Sequence, residues 1–93
     1  SNSFDLYQNY PNPFNSSTII EYNVLKSNDV NVAIYDLLGQ HVKTLANIRH
    51  QAGHYKTSWD GTDQNNLPVA AGVYLYMLKT KESIKVNKLL LVK

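Results

Sequence analysis

Residues 9–15 read Asn-Tyr-Pro-Asn-Pro-Phe-Asn and run directly into Ser-Ser-Thr-Ile-Ile-Glu-Tyr-Asn-Val. Pro11 and Pro13 lack a backbone N–H and hold φ at about −65°, which bars this stretch from the centre of a sheet. From Thr18 onward, β-branched and aromatic residues alternate with polar ones, the pattern of a half-buried strand. A stiff, extended lead-in joined to a strand belongs at a sheet edge.

The rest of the chain repeats short alternating runs and shows no sustained helical period. Phe4 to Gln8 predicts a short first strand. Thr18 to Leu25 places Ile20, Tyr22 and Val24 on one face. After a polar turn at Lys26–Asp29, Val30 to Asp36 does the same with Val30, Val32 and Ile34. Gly39 can take φ > 0 and marks a tight connection. His41 to Ala46 carries Val42 and Leu45, whose spacing breaks alternation and predicts a bulge. Asn47 to Gly53 reads as a loop. His54 to Trp59 points Tyr55, Thr57 and Trp59 one way. Asp60 to Pro68 is a long polar turn. Val73 to Lys79 is apolar on both faces, as a central strand is, and Ile84 to Val92 forms the last strand. Taking the more apolar face of each strand, the expected core includes Tyr22, Val32, Ile34, Val42, Tyr55, Trp59, Tyr74 and Leu90. About seven short strands without a helix imply an all-β fold, an antiparallel two-sheet β-sandwich of immunoglobulin or fibronectin-III type. Residues 4–93 form a single expected domain, and residues 1–3 read as a linker or cloning scar.

Composition narrows the function classes. At 93 residues the chain buries one modest core, with a stability of roughly 5–9 kcal/mol. There is no cysteine, so no disulfide framework supports the fold. A net charge of +2 is too small to suggest nucleic acid. The nearly apolar run Val69–Leu78 contains Gly72 and is too short for a membrane-spanning helix, and no membrane insertion is expected. No signal peptide is visible, so the chain reads as an excised fragment.

Candidate chemistry is sparse. His41, His50 and His54 are the only side chains suited to acid–base work near neutral pH. His50 and His54 sit four apart, but Gly53 and a strand intervene, so metal ligation is not expected. No serine lies in a nucleophile-elbow context, and the glycines are isolated. The expectation is a non-catalytic chain with no catalytic, cofactor-binding or metal site. The run Asp60-Gly61-Thr62-Asp63-Gln64-Asn65-Asn66 offers oxygen ligands, yet lacks the alternate-position register and distal Glu of a calcium loop. The same residues suit a turn, and Asn66 is expected at φ > 0. A weak calcium site is the alternative. Lys79, Lys81, Lys85, Lys88 and Lys93 face a single Glu82. Lysines on an exposed strand protect an edge, or they mark a recognition tail ending in Leu89-Leu90-Leu91-Val92.

These segments occur in the order seen in a known family. Asn9-Tyr10-Pro11-Asn12-Pro13-Phe14-Asn15 and Ser17–Tyr22 resemble the opening of the type IX secretion C-terminal sorting domain, type A, which is immunoglobulin-like. Val32–Val42, Ala52-Gly53-His54-Tyr55, Trp59-Asp60-Gly61, Ala71–Tyr76 and Lys88–Lys93 are similar to its later motifs. The resemblance spans about residues 6–93. Ser16 stands where a third proline is common, and Asn65-Asn66 where Asn-Gly is usual. A related immunoglobulin-like module of flagellar hook-capping proteins shares much of the pattern; the terminal Leu-Leu-Leu-Val-Lys favours the secretion family.

The resemblance implies a secretion signal that directs an upstream cargo domain through the periplasm and the type IX translocon to the surface of a Gram-negative bacterium. It also implies a sortase-like protease as partner, which removes the domain on surface attachment. Residues carried over as recognition candidates are Pro11, Asn12, Pro13, Gly72, Tyr74, Lys88 and Lys93, of which Gly72 and Tyr74 are better explained as structural. The competing class is a passive β-sandwich spacer or a carbohydrate-binding accessory module, with Tyr35 and Trp59 as candidate sugar platforms.

Overall fold

Alternating burial along the chain builds seven strands: β1 (Phe4–Leu6), β2 (Thr18–Val24), β3 (Asn28–Tyr35), β4 (His41–His50), β5 (Gly53–Trp59), β6 (Gly72–Lys79) and β7 (Ile84–Leu91). They belong to a computed structural model that describes residues 4–93. The proposed linker at residues 1–3 lies outside the described residues. The strands form two antiparallel sheets, ordered β1-β2-β5 and β4-β3-β6-β7. This is the expected sandwich of immunoglobulin type.

The inner faces follow from the period of two. In β2, Thr18, Ile20, Tyr22 and Val24 are buried while Ile19, Glu21 and Asn23 are half-buried. Antiparallel pairing sets Thr18 against Trp59, Ile20 against Thr57 and Tyr22 against Tyr55, so both strands turn the same face inward. Val30, Val32 and Ile34 of β3 and Tyr74, Tyr76 and Leu78 of β6 are buried too. One core cluster gathers Phe14, Ile20, Ile34, Trp59, Tyr74, Tyr76, Leu89 and Leu91; a second gathers Phe4, Tyr22, Val24, Val30, Val32 and Leu78. Each fully buried Phe, Leu or Ile among them stabilises by about 1.5–3 kcal/mol relative to exposure.

The bulge expected in β4 is present, and it is double. Val32 pairs with Ala46 and Ala33 with Thr44, leaving Leu45 extra; Ile34 pairs with Lys43 and Tyr35 with His41, leaving Val42 extra. β6 lies between β3 and β7, the central place its two-sided apolarity predicts.

Three expectations need correction. Asn47–His50 is strand, paired with Asn28–Asn31 of β3; it reads as loop because its end of the sheet is largely solvated, so polar side chains are tolerated. Leu90 is only half-buried, whereas Leu89 and Leu91 are the core residues of β7. The run Leu89–Val92 is apolar on both faces, so its pattern carries no phase, and a slip of one residue exchanges inside for outside. Val42 and Tyr55 are half-buried: the first is displaced by the bulge, the second lies on an edge strand.

Candidate recognition surface

The proline lead-in crosses from one sheet to the other. Tyr10 bridges Ile19 of β2 antiparallel, and Phe14 bridges Leu91 of β7 in parallel. The backbone bonds are Tyr10 N to Ile19 O at 3.0 Å, Phe14 N to Leu90 O at 3.0 Å and Val92 N to Phe14 O at 2.8 Å. Between these anchors, Asn12 Oδ1 accepts from Leu90 N at 3.0 Å. Pro11 and Pro13, with no N–H to satisfy, occupy exposed positions of this crossing. The Tyr10–Pro11 and Asn12–Pro13 peptide bonds are cis.

A buried hydroxyl holds the lead-in from inside. Tyr76, fully buried in β6, donates its hydroxyl to Tyr7 O at 2.7 Å. The same oxygen accepts from Asn9 N at 2.9 Å and from Asn87 Nδ2 at 3.1 Å. Burial pushes the Tyr76 phenol above its ordinary value, with the Asn87 and Asn9 bonds opposing. Buried Asn9 in turn donates Nδ2 to Thr18 Oγ1 at 2.9 Å, and Thr18 Oγ1 donates to Pro11 O at 2.9 Å. Phe14 then inserts into the core, its ring centroid 5.6 Å from that of Trp59. Tyr76 and Asn9 are missed by sequence reasoning: their partners lie up to 69 positions apart, and no local pattern encodes such a pairing.

Of the recognition candidates, the structure brings four to one rim, the outer edge of β7. Asn12 is bonded there at Leu90, which carries its neighbours Pro11 and Pro13 to that edge, and Lys88, two residues before Leu90, has its carbonyl accepting from Gln8 Nε2 at 3.0 Å. Lys93 lies two residues past the end of β7, its Nζ donating to Val69 O at 2.6 Å. Gly72 and Tyr74 do not join this rim. Gly72 opens β6 at φ 150°, a backbone conformation that glycine adopts far more readily than other residues. Tyr74 lies in the core, edge-on to Trp59 with centroids 5.2 Å apart, and its hydroxyl donates to Ala70 O at 2.6 Å. Both are placed by the fold itself rather than along the lead-in.

The remaining polar clusters satisfy themselves. On the outer face of β2, Glu21 accepts from the Tyr10 hydroxyl and pairs with His54 Nε2 at 2.7 Å, while His54 Nδ1 meets Asn23 Oδ1 at 2.6 Å. The Tyr10 bond is the main cause that lowers the Glu21 carboxyl. His50 stacks on Tyr55 with centroids 3.6 Å apart and meets Tyr22 Oη at 2.9 Å; burial lowers its pKa. In the turn after β5, Asp60 Oδ1 accepts from Thr62 Oγ1 at 2.5 Å and Asp63 Oδ1 accepts from Asn65 N and Leu67 N. Asn66 has φ 63°, as its place in the turn predicts. The carboxylates of this turn are occupied by its own residues and, at Asp60, also by Lys43 Nζ at 3.8 Å. Trp59, one of the two candidate sugar platforms, is 1% exposed, and Tyr35 is half-buried with His41 edge-on to its ring.

Comparison with known proteins adds family and fold. A family model described as the FlgD Ig-like domain matches residues 15–83. In structure the chain is similar to dimeric latent PorU from Porphyromonas gingivalis, at TM-score 0.73 and 21% identity, covering 96% of this chain and 9% of that one. It is also similar to FlgD from Xanthomonas campestris, a protein of the hook capping essential for flagellar assembly. There the TM-score is 0.62 and the identity 25%, covering 96% of this chain and 62% of FlgD. The chain thus spans less than two thirds of either. No curated protein matches it.

Proposed function

We propose that this chain, which belongs to the family of FlgD Ig-like domains, serves as a non-catalytic C-terminal secretion signal, read in the folded state, as its resemblance to type IX sorting domains implies. In this role it directs an attached cargo across the outer membrane by the type IX system and is removed on surface attachment. The observation that carries the reading is the stitching of Asn12 and Phe14 to Leu90 and Val92. Two motifs at opposite ends of the chain become one exposed rim. A receptor meeting Pro11, Pro13, Lys88 and Lys93 together reads a folded domain, since an unfolded chain scatters them. The contact is electrostatically biased: exposed ammonium groups steer an acidic partner toward the rim.

The sugar-binding alternative loses its proposed platforms, because Trp59 is in the core and Tyr35 is half-buried against His41. A passive spacer needs no such rim. The test is a periplasm-directed reporter fused ahead of the domain, expressed in a host with the type IX translocon and in its translocon-deficient derivative. Export in the first and periplasmic retention in the second is the expected result. Retention in both, with the fusion folded, supports the spacer.

A further inference from the structure

The outer edge of β7 is covered along only half its length. In an antiparallel ladder every second residue points its N–H and C=O away from the neighbouring strand. Leu90 gives its N–H to Asn12 and its carbonyl to Phe14, and Lys88 gives its carbonyl to Gln8. By the same alternation Val86 and Ile84 present theirs outward, where no backbone partner among the described residues meets them. Their side chains are open as well: Ile84 is 60% and Val86 45% exposed.

An uncovered edge with exposed β-branched side chains invites another strand, and proteins ordinarily blunt such edges with lysine, proline or a bulge. Here the nearest blunting group is drawn aside. Lys85 Nζ sits over the Phe4 ring at 5.8 Å from its centroid, on the inner side of the strand. Across the outer face, Val86 is paired with Met77, Ile84 with Lys79 and Lys88 with Leu75. The flanks are therefore cationic and the centre apolar. The one acid of the adjoining turn, Glu82, accepts from Asn28 Nδ2 at 2.9 Å.

We propose that Ile84–Asn87 is a docking edge that accepts an extended, acidic strand from another protein by strand addition. The lead-in already docks on the same edge one step further along, at Leu90 and Val92, so an added strand continues an existing mode of pairing. Charge selects the occupant. A second copy pairing β7 to β7 doubles the lysine charge along the shared edge, bringing Lys88 of each copy onto the same outer face, and like charges close across a strand pair are unfavourable. An acidic strand with alternating apolar residues covers Val86 and Ile84 and neutralises the lysines beside them. The inference does not need the sorting role, because strand addition is measured on the isolated domain.

The probe is a blocked peptide of about eight residues, alternating valine with glutamate, a length that matches one strand. Binding is read by fluorescence anisotropy and by amide exchange in NMR. The expected result is saturable binding that slows exchange at Ile84 and Val86. A lysine-for-glutamate version of the peptide is expected to bind at least about tenfold more weakly. Val86→Pro removes an N–H that the sheet does not use, so the domain keeps its melting temperature while binding weakens by at least about tenfold. If that variant unfolds, Val86→Lys keeps the backbone and is expected to weaken binding to the same extent. Unchanged exchange at Ile84 and Val86 under millimolar peptide overturns the proposal. Equal binding of the lysine peptide overturns its acidic occupant. Concentration-dependent dimerisation of the domain alone, lost in the Val86 variant, replaces that occupant with a second copy.

Discussion

The lead-in at residues 8–14 and the turn at residues 60–68 are both polar stretches outside the strands, and both carry proline and asparagine. Their hydrogen bonds differ in reach. The turn is closed largely by its own residues, through Asp60 to Thr62, Asp63 to Asn65 and Leu67, and Asn66 N to Asp63 O, with Lys43 and Thr44 of β4 adding bonds to Thr62, Asn66 and Gln64. The lead-in is tied at its start to Thr18 and Ile19 of β2 and is otherwise closed by residues far along the chain, Tyr76, Leu90 and Val92. A locally closed segment keeps its shape when the rest loosens. A remotely closed one exists only when both sheets are assembled, and its order is therefore a report that the domain has folded. That is the property a signal read in the folded state requires.

The comparison breaks first, if it breaks, at Phe14. Phe14→Ala empties a core position beside Trp59 and removes the wedge that seats the lead-in. The expected cost is about 3–5 kcal/mol, lowering the melting temperature by more than about 10 °C. A loss no greater than that of a turn substitution contradicts the account of the lead-in as part of the core.

Tyr76→Phe sharpens the same point. It keeps the ring and deletes the hydroxyl, leaving Asn9 N and Tyr7 O without their partner. Denaturant unfolding is expected to show a loss of about 1–3 kcal/mol. Amide exchange at Asn9 speeds up, and exchange in the turn stays as it was.

Acid acts on the turn by a defined route. The Thr62 bond is the main cause that holds the Asp60 carboxyl below its ordinary value of 3.8, with Lys43 adding to it. A depressed folded pKa means that the contribution is complete above the unfolded value and is lost as pH falls through the lower folded value. An NMR titration downward from pH 5 is expected to disturb Thr62 before Phe14 and Leu90, whose mutual contacts contain no titrating group. Simultaneous disturbance removes the distinction between the two segments.

Asn66→Gly is the smallest change. It relieves a left-handed residue at φ 63° and adds freedom to the unfolded chain, so stability is expected to be neutral or raised by about 0.5 kcal/mol at most. Thermal melting checks it; clear destabilisation means that the Lys43 bond to Asn66 Oδ1 carries the turn instead.

What was legible in the sequence divides along the same line. Ile20, Tyr22 and Val24, or Tyr55, Thr57 and Trp59, declare their strands because period-two burial is a local signal. The spacing of Val42 and Leu45 gives the bulge, and the turn chemistry gives Asn66. The far end of β4 is hidden, because a solvated strand end and a loop use the same polar residues. The phase of β7 is hidden by its unbroken apolar run. In the recognition surface, the prolines and lysines could be named, but the rim they share arises from pairing across the whole chain, which no local window contains.

The central claim is that this rim is read as a signal, and Lys88→Ala combined with Lys93→Ala tests it most directly. Both lysines are exposed, so the pair is expected to change stability by no more than about 0.5 kcal/mol. Export of the fused reporter and thermal melting are measured on the same protein. The account predicts a marked fall in export with melting unchanged; unchanged export with unchanged melting contradicts it and returns the lysines to edge protection.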